Sequence, residues 1–339
     1  GQAPEVYSLP AMIDKLRPLY QAAKAKAQAS STPEVKRGVG VSIGIYGAGL
    51  DGTDAAEAAV ELTTSGVTVY ATWQDHGQGA DMGALGTAHE ALSALELDPT
   101  DIRLVLSDTG LAPNSGPSGG SRSQVVIGNA IKNACDNLLA AMRKPDGAYR
   151  TYAEMVADKL PLRYSGKWVA TMNSACDENG QGKPFAAYMY GVFMAEVAVS
   201  TKTGKTTVEG MTLVADIGRI NNRLVVDGQI YGGIAQGIGL ALSEDFEDLA
   251  KHRTMLACGI PYAKDIPDKF EIIYEETPRE HGPFGASGVG ELPLTSPHVA
   301  IVNAIKNATG VRITHLPALP EKVLAGLRAL DSANEPVPA

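Results

Sequence analysis

An α+β fold of two α/β subdomains is predicted by three features of the sequence. Helical periodicity and strand alternation succeed one another along the chain, three glycine-rich loops each run into a helical stretch, and the composition shifts near residues 177–184. With 339 residues, 44% of them hydrophobic, the chain can bury a core large enough for two such units. Thirty-seven glycines against 6% aromatic residues suit a protein whose main chain must approach a ligand closely.

Residues 9–29 are rich in Ala, Lys, Gln and Leu at helical spacing, so a helix is expected there, kinked by Pro18 and ended by Ser30-Ser31-Thr32-Pro33. Residues 1–34 then form an N-terminal helical linker. Residues 36–46 alternate small and β-branched side chains as a strand does, and 58–64 and 67–73 flank Ser65-Gly66 as a hairpin. The first glycine loop, Asp75-His76-Gly77-Gln78-Gly79-Ala80-Asp81-Met82, leads into a helix to residue 95. The second, from Asn114 through Ser118-Gly119-Gly120-Ser121-Arg122-Ser123-Gln124, leads into a helix over 125–142. Residues 188–200 and 205–216 read as a long hairpin turned at Thr203-Gly204. Residues 227–243 form a glycine-spaced helix with a smooth face. The third loop, His281-Gly282-Pro283-Phe284-Gly285-Ala286-Ser287-Gly288-Val289-Gly290-Glu291, passes through Leu292-Pro293 to a helix over 296–308. The first subdomain is placed at 35–183 and the second at 184–330. The polar, proline-containing residues 331–339 are expected to be a poorly ordered tail.

A net charge of −9 and a pI near 5.2 leave no extended basic face for a nucleic-acid backbone. No apolar run reaches the roughly 18 residues of a membrane helix, and no signal pattern opens the chain, so a cytoplasmic protein is expected, although export of a complete enzyme stays open. Cys135, Cys176 and Cys258 are far apart, without CxxC or zinc spacing, and read as reduced thiols. The chain opens on Gly1 rather than Met, as expected of a piece of a longer polypeptide.

Backbone N–H groups at a helix start, unobstructed where glycine precedes them, make an anion cradle. Three cradles in one chain point to an extended, phosphate-bearing ligand. The second loop adds serine hydroxyls, Arg122 and Gln124; as a bland alternative it is a serine-glycine surface turn. None of these three loops fits a GxGxxG at the start of a βαβ unit or a GxxxxGK[ST] fingerprint. His76 has no partner at zinc spacing and His89 lies on the following helix, so hydrogen-bonding or structural roles suit both. Glu291 ends a run with Gly at 282, 285, 288 and 290 and is pinned by Pro293, which can deliver a carboxylate to a fixed place. In a desolvated pocket its pKa would rise toward that of a general base. The bland alternative is a glutamate favoured by the dipole of the next helix.

Taken together, these segments resemble the second molybdenum domain of the xanthine oxidase and aldehyde oxidoreductase family. The resemblance extends over most of the chain from about Lys36. His76-Gly77-Gln78-Gly79 matches the family's HGQG loop. Pro113, Asn114, Pro117, Ser121 and Ser123 match its Pro-Asn-x-x-Pro-x-x-x-Ser-x-Ser segment. Gln229 to Gly239, with Gln236 toward the cofactor, matches its glycine-spaced helix, and Gly288, Gly290, Glu291 and Pro293 match its Gly-x-Gly-Glu-x-Pro ending. Each motif is weak alone, but four in the family's order are specific.

The resemblance implies mixed sheets and packed helices, with cofactor-binding loops where the subdomains meet. It implies molybdenum held by a pterin dithiolene rather than by side chains, as molybdopterin cytosine dinucleotide. His76, Gly77, Gln78, Gly79, residues Ser118, Gly119, Gly120, Ser121, Arg122, Ser123 and Gln124, and Gln236, Gly288, Val289 and Gly290 are the expected cofactor contacts. Ser118 to Gln124 would take the dinucleotide part. The implied reaction oxidises aldehydes to carboxylic acids with water as oxygen source. In it Glu291 deprotonates the metal-bound hydroxyl, hydride goes to molybdenum, and electrons pass to 2Fe-2S clusters in segments outside this chain. Leu50 falls near the position where purine-oxidising members carry an aromatic side chain, which favours aldehydes over N-heterocycles such as purines. The expected partners are the iron–sulfur and first molybdenum domains, a small aldehyde, and a second copy in a homodimer of the complete enzyme. Competing readings are a non-catalytic nucleotide- or anion-binding assembly module and a hydrolase pairing Glu291 with Ser287, for which no GxSxG elbow speaks.

Overall fold

A computed structural model describes residues 4–334, which form two four-stranded mixed sheets with helices packed on them. The chain runs α1 (Leu9–Ser30), β1 (Val35–Ala48), β2 (Ala55–Thr63), β3 (Gly66–Ala71), α2 (Ala80–Ala91), β4 (Ile102–Leu106), α3 (Ser123–Met142), α4 (Tyr152–Ala157) and β5 (Arg163–Val169). It continues β6 (Ala187–Ser200), β7 (Thr206–Asp216), α5 (Arg223–Leu242), β8 (Phe270–Tyr274), α6 (Pro297–Thr309) and α7 (Pro320–Asn334).

One sheet has the order β4-β3-β2-β5, with β3 and β4 parallel and the other pairs antiparallel. Its β2–β3 hairpin turns at Ser65-Gly66, with Val60 opposite Val69. Helix α3 covers it: Val126, Ile127, Ala130, Ile131 and Ala134 are buried in one core with Ala58, Val60, Val67 and Val69. The second sheet has the order β1-β6-β7-β8, with β7 and β8 parallel. The long β6–β7 hairpin carries a bulge between Glu196 and Val197.

Strand β1 pairs with β6 over its whole length, from Val35↔Ser200 to Ala48↔Ala187. The strand expected at the start of the first subdomain is therefore part of the second sheet, and the boundary at residue 35 does not divide the layers. The small residues of β1 explain this placement: a Cβ at Gly40 would lie 2.2 Å from the Ala300 carbonyl oxygen, so only glycine lets α6 lie on the strand.

The N-terminal segment is likewise not a linker. Helix α1 buries Leu9, Met12, Leu16, Ala23 and Ala27 against Val39, Tyr190, Val192, Met194 and Val214 on the outer face of the second sheet. Its apolar residues recur at helical spacing, and Pro18 is accommodated inside the helix. At the other end, α7 continues to Asn334, past the expected start of the tail at 331; residues 335–339 lie outside the described residues. Among the described residues no helix is long and apolar enough to cross a membrane.

Candidate active site

The two sheets meet around a cavity of about 350 Å³. The first unit contributes Trp73, the loop before α2 and the loop before α3. The second contributes the chain between β7 and α5, the first turns of α5, and the loop that ends at Glu291. Of the residues singled out in the sequence, His76, Gln78, Gly79, Ser118, Gly119, Ser121, Ser123, Gln124, Gly288, Val289, Gly290 and Glu291 all line it. Segments more than 200 residues apart in the sequence thus share one wall.

The first loop is not an open anion cradle. The carboxylate of Asp75 accepts hydrogen bonds from the N–H groups of Gly77 (2.7 Å), Gly79 (3.3 Å) and Asp81 (3.3 Å), filling the start of α2 with the chain's own anion. Burial pushes the Asp75 carboxyl up, but these amides together with that of Ala80 outweigh it and hold the group below its ordinary value. Gln78 is also engaged locally, donating to the Gln74 carbonyl at 2.8 Å and accepting from the His76 amide. Gly77 does not face the cavity.

Arg122 departs from its expected role as a phosphate ligand. It is fully buried, and its guanidinium donates to Asp54 through Nε and Nη2, to the Ser115 and Pro117 carbonyls through Nη1, and to the Ala55 carbonyl through Nη2. All five donors are committed, so none is left for a ligand. The planar fork instead ties the second loop to the start of β2. Gln124 borders the cavity, yet its amide is shared between Thr87 and Asn221 (each 3.1 Å), and it serves as a bridge between the two units.

Gln236, expected to face the cofactor, lies outside this cavity. It is exposed on α5, and Gln229, seven residues earlier on nearly the same helical face, takes the cavity position. Leu50 is 42% exposed at the end of β1 and lies beside Gly120 rather than in the cavity wall. The adjoining Gly49 amide donates to the Gly120 carbonyl at 3.0 Å.

Glu291 is the point where the second and third loops join. Its carboxylate accepts a short hydrogen bond from the Ser121 hydroxyl, and its own amide donates to that hydroxyl oxygen at 3.1 Å. It makes no side-chain cap on the single 3-10 turn that follows, and α6 begins only at Pro297, so the carboxylate is engaged by Ser121 rather than by a helix start. Gly288 makes this approach possible: a Cβ there would lie 2.0 Å from the Ser121 carbonyl oxygen. Burial raises the Glu291 pKa above its ordinary value, and amide hydrogen bonds from Gly120, Glu291 itself and Ser121 only partly offset this. The phenol of Tyr46, on β1, is raised by burial and then by the Glu291 charge.

Several lining residues were not legible in the sequence. Arg219, Asn221 and Asn222 reach the cavity from the β7–α5 connection, and Val225 from the first turn of α5. Asn222 caps α5, accepting from the Val225 amide at 3.2 Å, so that helix starts earlier than expected and its positive end borders the cavity. A capping Asn just before an apolar helix was the available signal. Arg219 is exposed and its side chain has no acidic partner among the described residues. His89 accepts its bland role, with Nε2 3.1 Å from the Leu97 carbonyl.

The Ser118 and Ser287 hydroxyls are buried, line the cavity, and have no hydrogen-bond partner among the described residues. An unmet buried hydroxyl costs about 1–3 kcal/mol, so both positions suit a polar ligand. The lack of any partner on Ser287 also removes the base contact that a serine nucleophile needs. A cavity with two waiting hydroxyls, an arginine without an acidic partner among the described residues and a helix N-terminus suits a phosphate-bearing ligand.

Fold and site together define a cofactor-binding domain built around a single part-buried carboxylate. The chain belongs to the molybdopterin cofactor-binding domain family, whose pattern matches residues 15–267. It is 62% identical over 331 residues to an aldehyde oxidoreductase of Megalodesulfovibrio gigas, covering 97% of this chain and 36% of that protein. A solved structure of the aldehyde oxidoreductase from Desulfovibrio gigas superposes with a TM-score of 0.95 at 61% identity, over 97% of this chain and 36% of that one. The CO dehydrogenase of Oligotropha carboxidovorans, at 19% identity and a TM-score of 0.73 over 96% of this chain and 44% of that one, shares the fold. The chain thus spans about a third of the length of the aldehyde oxidoreductase it matches.

Proposed function

We propose that this domain holds molybdenum as molybdopterin cytosine dinucleotide and, in the assembled enzyme, oxidises aldehydes to carboxylic acids with Glu291 as general base. The observation that carries the reading is the Glu291 carboxylate itself: part-buried, raised in pKa, and fixed in the wall of a cavity lined by unmet hydroxyls. The high identity to an aldehyde oxidoreductase supports the substrate class.

When bound, the pterin-held molybdenum supplies the electron-pair acceptor and acidifies the water from which the added oxygen comes. This chain would hold the cofactor through Ser118, Ser123, Ser287, Asn222, Gln229 and Arg219, with the start of α5 favouring its negative charge. Glu291 takes the proton that water must lose to attack the aldehyde carbon. The overall change, aldehyde plus water to carboxylic acid, releases two protons and two electrons. The electrons leave to iron–sulfur centres in segments outside this chain. Burial raises the Glu291 pKa toward the range of a general base, and the amides around it oppose part of that rise.

In the assembled enzyme, Glu291→Gln should retain molybdenum and lose about 10²- to 10⁴-fold in turnover, the range for removing a general base. Denaturation of the loaded enzyme should release a cytosine nucleotide. Full turnover in Glu291→Gln would refute the base, and molybdenum-free native enzyme that still bound nucleotides would favour a binding module.

A further inference from the structure

We propose that Ser121 is a positioning residue for Glu291, holding its carboxylate toward the cavity and keeping it ionised through the side-chain hydroxyl. The proposal rests on Glu291 being the base, and three separate features of the structure carry it.

The first is a reciprocal pair of hydrogen bonds. The Ser121 hydroxyl donates to Glu291 Oε2 and accepts from the Glu291 amide at 3.1 Å, so one side chain grips both ends of the same residue. The second is backbone conformation. Ser121 has φ of +49°, a left-handed geometry that a non-glycine residue adopts at a cost, directly before the first turn of α3. Glycine would satisfy that backbone more easily; what serine adds is the hydroxyl. The third is the fit of the opposing loop. Gly288 packs on the Ser121 carbonyl and Cβ, with a hypothetical Cβ 2.0 and 2.8 Å away, and one at Gly290 would lie 3.4 Å from the hydroxyl oxygen. The third loop is shaped around this serine.

The chemistry follows from a hydroxyl donor on a carboxylate. It stabilises the charged form more than the neutral acid, opposing the burial that raises the Glu291 pKa. The other ionisable groups nearby do not duplicate it. Tyr46 faces Glu291 from β1 and shares its field. Arg122, one residue along, is neutralised by Asp54 within the protein. His76 and Arg219 reach the cavity from other loops without a hydrogen bond to Glu291.

The test compares Ser121→Ala and Ser121→Gly with wild type in the assembled enzyme. Loss of the donor should move the acidic limb of the kcat/KM profile upward by about one to two pH units, the scale of a hydrogen bond to a charged group. Activity at low pH should fall about ten- to a hundredfold and largely return at high pH, with little change in KM. Ser121→Gly relaxes the backbone, so a purely structural role would leave it with the wild-type profile. Infrared titration of the Glu291 carboxyl, assigned by its absence in Glu291→Gln, reads the same shift without turnover. It is recorded on cofactor-loaded and cofactor-depleted enzyme, so a variant that loses molybdenum still reports. An unchanged Glu291 titration in both variants overturns the proposal; an active Glu291→Gln enzyme overturns only the base assignment on which its catalytic meaning depends.

Discussion

Arg122 and Asp54 form a buried pair, 0% and 3% exposed at the side chain and 2.8 Å apart. Removing one partner leaves the other charged and dry. Arg122→Ala should therefore cost about 3–5 kcal/mol in denaturant unfolding, and the double variant with Asp54→Ala less than the sum of the two. Asp75 titrates in the opposite environment, its carboxyl held down by the amides of its own loop. Because its folded-state pKa is depressed, its stabilising effect is present above the unfolded value and lost as pH falls through the folded one. The thermal advantage of wild type over Asp75→Asn should thus be visible at neutral pH, begin to decline near about pH 4, the ordinary aspartate range, and be lost only at lower pH. Glu291 is raised instead, so its basic form exists only above that raised value. The acidic limb of the kcat/KM profile should lie above the ordinary glutamate pKa of about 4.3 and disappear in Glu291→Gln.

Among the elements, α2, α3 and α5 were legible from periodicity and the hairpins from their Ser-Gly and Thr-Gly turns. The junction between elements was not. Gly79 illustrates the difference: the sequence marks it as a loop residue of the HGQG motif but not as a packing position, yet it sits at φ +82° where α2 begins, and a Cβ there would lie 2.5 Å from Val225 of α5. Gly79→Ala should destabilise by about 1–2 kcal/mol from backbone strain, with the contact to α5 adding to this, and should lower the molybdenum content of purified enzyme. Retained metal and unchanged melting would show that the α2–α5 contact is dispensable. The early start of α5 was missed for a local reason, since Asn222 acts through one side-chain bond that leaves no periodic trace.

In the whole molecule the cavity lies where the two sheet units meet, so a bound cofactor ties them together. Depleting it should lower the melting temperature. Hydrogen exchange should rise in residues 75–82, 115–124 and 285–291, while the core between α1 and the second sheet keeps its protection. Uniform loss of protection would argue against a ligand confined to that junction. The sequence by itself determined which segments come together around the cavity, because glycine spacing, a terminal glutamate and serine-rich turns are local patterns that survive without coordinates. Only the tertiary structure decided which of those groups remain available. Arg122 and the amides before α2 have the right chemistry but are already satisfied by Asp54 and Asp75, while the Ser118 and Ser287 hydroxyls have no partner, and Arg219 no acidic one, among the described residues. The physical reason is that hydrogen bonds are settled in space: a donor is a binding group only if the fold has not paired it first.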